Sequence, residues 1–163
     1  SGEIARIGES QTFACWFFDN GASLSTTALF KFYCIHNVYV SIYGSIQSNN
    51  TVQVSLTKAQ NGANVIVTSD SPIIENGWNY IGVIYNANTD TLTLILNSEY
   101  TESDQIGNSW ADGNFRFYIR PIQTTFGNFY IDELLLGCNT LIDRDILLQH
   151  YDHDVPWGSK YIP

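Results

Sequence analysis

Trp78 to Asn97 reads WNYIGVIYNANTDTLTLILN, and the reading of this stretch decides the fold. Ile81, Val83 and Tyr85 share one parity of its first arm, and Leu92, Leu94 and Leu96 share one parity of its second. Asn86 to Asp90 between them is turn chemistry. Side chains alternate across a strand, so each arm collects its apolar residues on one side. The stretch predicts a long antiparallel hairpin with a core face.

Further strand signals surround the hairpin at short spacing: Thr12 to Phe18, Leu29 to Ile35, Val38 to Ile46, Val52 to Thr57, Asn64 to Thr68, Phe115 to Arg120 and Asn128 to Leu136. Polar, turn-forming clusters at 19–23, 47–50 and 60–62 punctuate them. Leu141 to Tyr151 departs from this pattern, with Leu141, Ile142, Ile146, Leu147 and Tyr151 near helical spacing and Asn139 or Thr140 placed to cap a helix. The expected fold class is therefore all-β: two stacked antiparallel sheets with one short C-terminal helix. The 163 residues fit one domain, large enough to bury its own core. The tail DHDVPWGSKYIP, 152–163, has two prolines and no period, and is expected to run along the surface or lead to the next module, with Trp157 assigned to docking of the tail. The chain opens Ser1-Gly2 without a signal peptide, which reads as a module of a larger protein.

Composition narrows the partners. Aromatics at 14% with few Glu, Lys and Arg and no Met suit strands. A net charge of -9, with seven Lys and Arg scattered singly, supplies no basic stripe in the sequence and argues against nucleic acid and anionic membrane as partners. No apolar run is long enough for a membrane-spanning helix. Cys15, Cys34 and Cys138 have no metal-ligand spacing; they are either three buried thiols or a Cys15–Cys34 bridge with one thiol left over, and the odd count favours thiols.

Two blocks carry a family resemblance. The hairpin arm, a Trp followed at three, five and seven residues by Ile, Val and Tyr and then by alternating leucines, resembles the signature hairpin of concanavalin A-like jelly-roll domains, in their LamG-like branch. GNFYIDELLLG, Gly127 to Gly137, followed by TLIDRDILLQHYD, is similar to the closing strand and trailing helix of the same domains. This resemblance implies a jelly-roll β-sandwich and a lectin-like, carbohydrate-binding module. Such modules occur in extracellular enzymes, bacterial adhesins and bacteriophage tails, so the implied location is extracellular, on a cell surface or on a virion.

In a sandwich each strand buries one face and leaves the other for solvent or ligand. Parity sends Phe30, Phe32 and Cys34 inward and Lys31 and Tyr33 outward; Val38, Val40 and Ile42 inward and Tyr39, Ser41 and Tyr43 outward. It sends Val52, Val54 and Leu56 inward and Gln53, Ser55 and Thr57 outward, then Phe115, Phe117 and Ile119 inward and Arg116, Tyr118 and Arg120 outward. Sugars offer apolar C–H faces fringed with hydroxyls, so aromatic platforms beside amide and guanidinium groups suit them. Tyr39, Tyr43, Gln53, Trp110, Arg116 and Tyr118 are the candidate glycan-binding residues. For the tyrosines the plainer reading is strand propensity and cross-strand packing. Trp110, in the loop GNSWADGN, is either a platform or a residue folded over the sandwich edge, whereas Trp16 and Trp78 are expected in the core.

A glycoside hydrolase or lyase of this fold is the catalytic alternative, and a purely structural protein-contact module is the other. Retaining hydrolysis needs two carboxyl groups about 5 Å apart. Adjacent Asp132 and Glu133 should point to opposite faces of a strand, Glu102 and Asp104 fall in the polar stretch SEYTESDQ, and Asp143 and Asp145 sit where acids favour a helix start. His150 and His153, with Asp152 and Asp154, read as a solvated helix end rather than a metal site. The expectation is a binding module, not an enzyme. The resemblance also implies a structural calcium, with Asp132 as the position to watch and Glu3 or Glu9 as its partner; otherwise Asp132 serves loop amides.

Overall fold

The computed structural model describes residues 5–19, 28–34, 37, 39–59, 64–107, 110, 113–119 and 129–153. Eleven strands and one helix occupy them: β1 Ala5–Arg6, β2 Gln11–Asp19, β3 Ala28–Cys34, β4 Ser41–Ile46, β5 Thr51–Thr57, β6 Asn64–Pro72, β7 Trp78–Asn86, β8 Thr91–Leu96, β9 Glu99–Glu102, β10 Asn114–Ile119, β11 Phe129–Cys138 and α1 Arg144–His153. They form a six-stranded sheet in the order β1-β10-β3-β4-β5-β6 and a five-stranded sheet in the order β11-β2-β7-β8-β9. Every pairing is antiparallel.

The hairpin has the register its parity predicts, with Ile81 opposite Leu96, Val83 opposite Leu94 and Tyr85 opposite Leu92. These six side chains enter the core between the sheets, where they meet Phe30, Phe32, Ile42, Val54, Leu56 and Phe115. Burying each such side chain is worth about 1.5–3 kcal/mol, which is why a one-residue slip of register is not tolerated. Gly44 belongs to this core for a steric reason: a Cβ there would lie 2.1 Å from the Phe30 ring.

The five-stranded sheet has a second core on its outer face. Ala14, Trp16, Tyr80, Ile84 and Ile95 lie under α1, against Leu147, with Leu141, Ile142 and Tyr151 packed around them. Hence β2 and β7 are buried on both faces, where the hairpin reading foresaw a single apolar face. Gly82 lets the helix approach, since a Cβ would meet Leu147 Cδ1 at 3.1 Å. Trp16 stacks on Tyr151 at 5.4 Å between ring centroids, and Trp78 packs edge-on against Phe18. The helix starts later than expected: the Asp143 backbone carbonyl accepts from the N–H groups of Ile146 and Leu147, which puts Asp143, not Asn139 or Thr140, at the position just before the first turn. Asn139 instead adopts a left-handed conformation and accepts from the Arg6 N–H, which ties off β1.

Other boundaries also differ. β4 begins at Ser41, so Tyr39 lies in the turn before it; β6 continues to Pro72; and the polar residues 99–102 form an edge strand. All three cysteines are free thiols, Cys15 and Cys34 buried and Cys138 half-buried, so no Cys15–Cys34 bridge exists. Burial raises the Cys15 and Cys138 thiol pKa above the ordinary value. The expectations for Glu3, Val38, Arg120, Asp154 and Trp157, for the His153 side chain and for the tail lie outside the described residues.

Candidate glycan-binding face

With α1 covering the outer side of the five-stranded sheet, the outer side of the six-stranded sheet is the broad strand surface that no described element covers. Its pairing registers sort the outward side chains into rows. One row runs Arg116, Tyr33, Ser41, Thr57, Asn64, and the next runs Tyr118, Lys31, Tyr43, Ser55, Ile66. A third places Ser45, Gln53 and Thr68 side by side. Four of the six candidates, Tyr43, Gln53, Arg116 and Tyr118, therefore share one face.

The aromatic part of this face is organised. Tyr33 donates its hydroxyl to the Tyr118 oxygen at 3.1 Å, and the two rings lie 5.0 Å apart. Such a pair is worth about 0.5–1.5 kcal/mol beyond its burial and fixes both rings. That hydrogen bond, with burial, raises the Tyr33 phenol above its ordinary pKa, and the nearby Arg116 charge opposes the rise. Lys31 lies 5.7 Å from the Tyr33 ring and 5.9 Å from the Tyr43 ring, so its ammonium bridges the two tyrosines. Burial raises the Tyr43 phenol, with a hydrogen bond from Ser45 acting against it. Gln53 donates to Thr68 Oγ1 at 3.4 Å. Tyr39, half exposed in its turn, sits at the rim beyond Tyr33 and Ser41 rather than on the face.

Trp110 takes the second arrangement that its sequence left open. Its indole packs edge-on against Tyr85 and Phe115, at 5.1 and 5.7 Å between centroids, and its Nε1–H donates to Tyr85 Oη at 2.7 Å. It is turned into the sandwich edge, away from the tyrosine face. The reason lies beneath it. Lys58, at 2% exposure, sends its ammonium inward to pair with Asp90 and to donate to the Gly107 carbonyl at 2.9 Å, and lies 5.5 Å from the Trp110 ring. Tyr85 donates to the same Asp90 oxygen at 2.9 Å and is pushed up to about pKa 12, chiefly by burial.

The carboxylates are dispersed. A bulge breaks the β11 register between Asp132 and Leu135, and Glu133 there has φ 50°, so simple alternation does not apply to that pair. Glu102 ends β9 and accepts from Thr93 Oγ1 at 2.7 Å, whereas Asp104 lies exposed beyond the strand. Asp143 and Asp145 belong to the helix start. Asp132 and Glu9 do not fit a calcium site. Asp132 is opposite Trp16, whereas Glu9 lies in the turn just before Gln11, and Gln11 is itself five residues, roughly 17 Å at about 3.3 Å per residue, from Trp16 along β2. Asp132 Oδ1 instead accepts the Glu133 N–H at 2.9 Å, the amide-binding role. Among the described residues no group of three or more His, Cys, Asp and Glu is placed to hold a metal ion. His150 packs 5.7 Å from the Tyr80 ring, and Asp152 is exposed.

No family model and no curated protein matches the chain. Solved structures do. The CBM40 domain of the Ruminococcus gnavus IT-sialidase, in a complex with alpha2,3 sialyllactose, superposes with a TM-score of 0.64 at 12% identity, over 91% of this chain and 94% of that one. The fold is a jelly-roll β-sandwich. A heptameric SAP-like pentraxin from Limulus polyphemus matches with a TM-score of 0.62 at 10% identity, over 90% of this chain and 72% of that one. The binding domain of botulinum neurotoxin serotype C1 matches at 0.63 and 13% identity, and there this jelly roll spans 37% of the partner's length. Among the described residues no helix is long and apolar enough to cross a membrane.

Proposed function

We propose that the chain is a non-catalytic carbohydrate-binding module that grips a cell-surface or cell-wall polysaccharide on the outer face of its six-stranded sheet. The observation that carries this reading is the register that gathers Tyr33, Tyr43, Tyr118, Arg116 and Gln53 on one open surface. Rings there supply stacking area, and amide, guanidinium and hydroxyl groups supply directional hydrogen bonds. Similarity to a sialidase CBM40 bound to sialyllactose and to a toxin binding domain supports the ligand class. The narrower form of the proposal is a host-binding module of a phage tail or baseplate, acting outside the cell or on a virion within a larger assembly. Its support is the Asn- and Thr-rich polar surface, as at 86–91 and 47–51.

The test is a glycan array probed with the wild type, Tyr43→Ala and Tyr118→Ala. Loss of about 0.5–1.5 kcal/mol of stacking per ring predicts roughly 2- to 12-fold weaker binding in each folded variant. Incubation with mixed cell-wall glycans should release no product; release would replace the binding module with a hydrolase or lyase. One observation favours a protein-contact role instead: edge strand β11 exposes Tyr130, Leu134 and Leu136. An array with no hits, together with a partner protein whose binding is lost in Leu134→Asp, would establish that second reading.

A further inference from the structure

The seven cations are single in the sequence, yet strand pairing collects three of them. Arg6 on β1 is opposite Asn114, and Asn114, Arg116 and Tyr118 share the outward parity of β10. Arg116 is therefore the diagonal neighbour of Arg6, and Lys31, opposite Tyr118, is the diagonal neighbour of Arg116. Diagonal neighbours are about 7–8 Å apart, so the three form a stepped line across β1, β10 and β3. The Tyr33–Tyr118 pair fills the other diagonal of the Arg116–Lys31 block.

Like charges at this spacing repel unless something negative lies among them. Among the described residues the strands of this sheet supply little, with Glu9 in the turn that follows Arg6. Among the described residues, Asp70 is the one carboxylate on the strands of this sheet, and it lies on β6, three strands from Lys31. No ion pair engages Lys31 or Arg116 among the described residues, and Arg116 Nε is covered without a hydrogen-bond acceptor. The other described cations are placed elsewhere: Lys58 is buried against Asp90, and Arg144 lies over the Tyr100 ring at 4.1 Å beside α1. On a chain of net charge -9, this line is a local reversal of sign among tyrosines.

We infer that the ligand of this face is an anionic saccharide, whose carboxylate or phosphate groups sit along Arg6, Arg116 and Lys31 while its sugar rings lie on Tyr33, Tyr43 and Tyr118. The inference rests on the glycan-binding proposal and narrows it to acidic polymers. Guanidinium forks match carboxylate and phosphate geometry, and the acidic remainder of the molecule weakens binding to polyanions that lack a ring-stacking fit.

The experiment measures affinity for polygalacturonate, wall teichoic acid, a neutral β-glucan, duplex DNA and anionic phospholipid vesicles at 50 and 300 mM NaCl. It uses the wild type, Arg116→Gln/Lys31→Gln, Arg116→Lys and Tyr118→Ala, each first checked for an unchanged melting temperature. The expected result is binding to polygalacturonate or teichoic acid, the two arms separating carboxylate from phosphate, with at least a tenfold loss at high salt. The double variant should lose at least tenfold at low salt, and Arg116→Lys should lose less. Binding to the neutral glucan with unchanged affinity in the double variant would overturn the acidic-ligand inference while keeping the glycan reading. Equal or tighter binding to DNA or vesicles would overturn it in favour of a general polyanion surface. Binding to none of the saccharides would remove the glycan reading itself.

Discussion

Replacing Asp90 by Asn removes one charge from the Lys58–Asp90–Tyr85–Trp110 network and little else. Asp90 has φ 56°, a left-handed conformation that Asn adopts readily, so the backbone is not perturbed. The carboxamide oxygen still accepts from Tyr85, but the Lys58 ammonium, at 2% exposure, loses the negative charge of Asp90. Breaking a buried pair from one side costs about 3–5 kcal/mol. Lys58→Met should cost less, because Asp90 is 18% exposed and keeps both water and the Tyr85 hydroxyl. The combination Lys58→Met/Asp90→Asn should be more stable than Asp90→Asn alone. For a chain of this size 1 kcal/mol moves the melting temperature by about 2–4 °C, so Asp90→Asn should melt about 6–20 °C below wild type. Urea unfolding followed by tryptophan fluorescence, with Trp110 resting on the network, measures all three variants. A loss below about 1 kcal/mol for Asp90→Asn, or a larger loss for Lys58→Met, would refute the claim that the buried cation governs this cluster.

Further outcomes follow from packing and ionisation. Gly44→Ala forces a methyl into the Phe30 ring and should destabilise by about 1–3 kcal/mol or more in thermal melts; a neutral result would mean that Phe30 has room to move. Alkylation at pH 8, read by mass spectrometry on the native protein, should label Cys138 before Cys15, since burial disfavours the Cys15 thiolate most. Both thiols and Tyr85 keep their protons in the fold to higher pH than in the unfolded chain, so unfolding releases protons in alkali. The stability they contribute is complete below the ordinary thiol value of 9.0 and declines as pH rises above it, with Tyr85 acting between 10.0 and about 12. The melting temperature should fall from pH 9 to pH 12, and Tyr85→Phe should flatten the upper part of that fall.

The hairpin was legible because a two-residue period over two long arms has one low-energy register, which is the one found. The inward and outward sets on β3 and β5 were legible for the same reason, whereas on β10 only Phe115 is fully buried and Phe117 packs partly on the core. What escaped were features that depend on chain segments far apart. β1 has two residues and pairs with β10 across more than a hundred positions, so Arg6 carried no local sign that it joins Arg116. Lys58 is drawn inward by Asp90, a turn residue 32 positions away, and Trp110 by Tyr85, 25 positions away, and polar loop sequence around Trp110 concealed this. Asp132 and Glu133 defeated alternation because a bulge inserts residues into β11. Parity gave β7 one apolar face, and the burial of β2 and β7 on both faces depends on α1, which packs over them from the far end of the chain.

That helical cover makes the two plates of the molecule unequal in endurance. Amides of β2 and β7 lie between apolar layers above and below, so their deuterium uptake should require near-global opening. Amides of β3, β4 and β10 have solvent on one flank and should exchange through smaller, more frequent excursions. The plate that displays the tyrosines and cations is thus the softer one, and the clamped plate behind it keeps the fold intact while the front flexes.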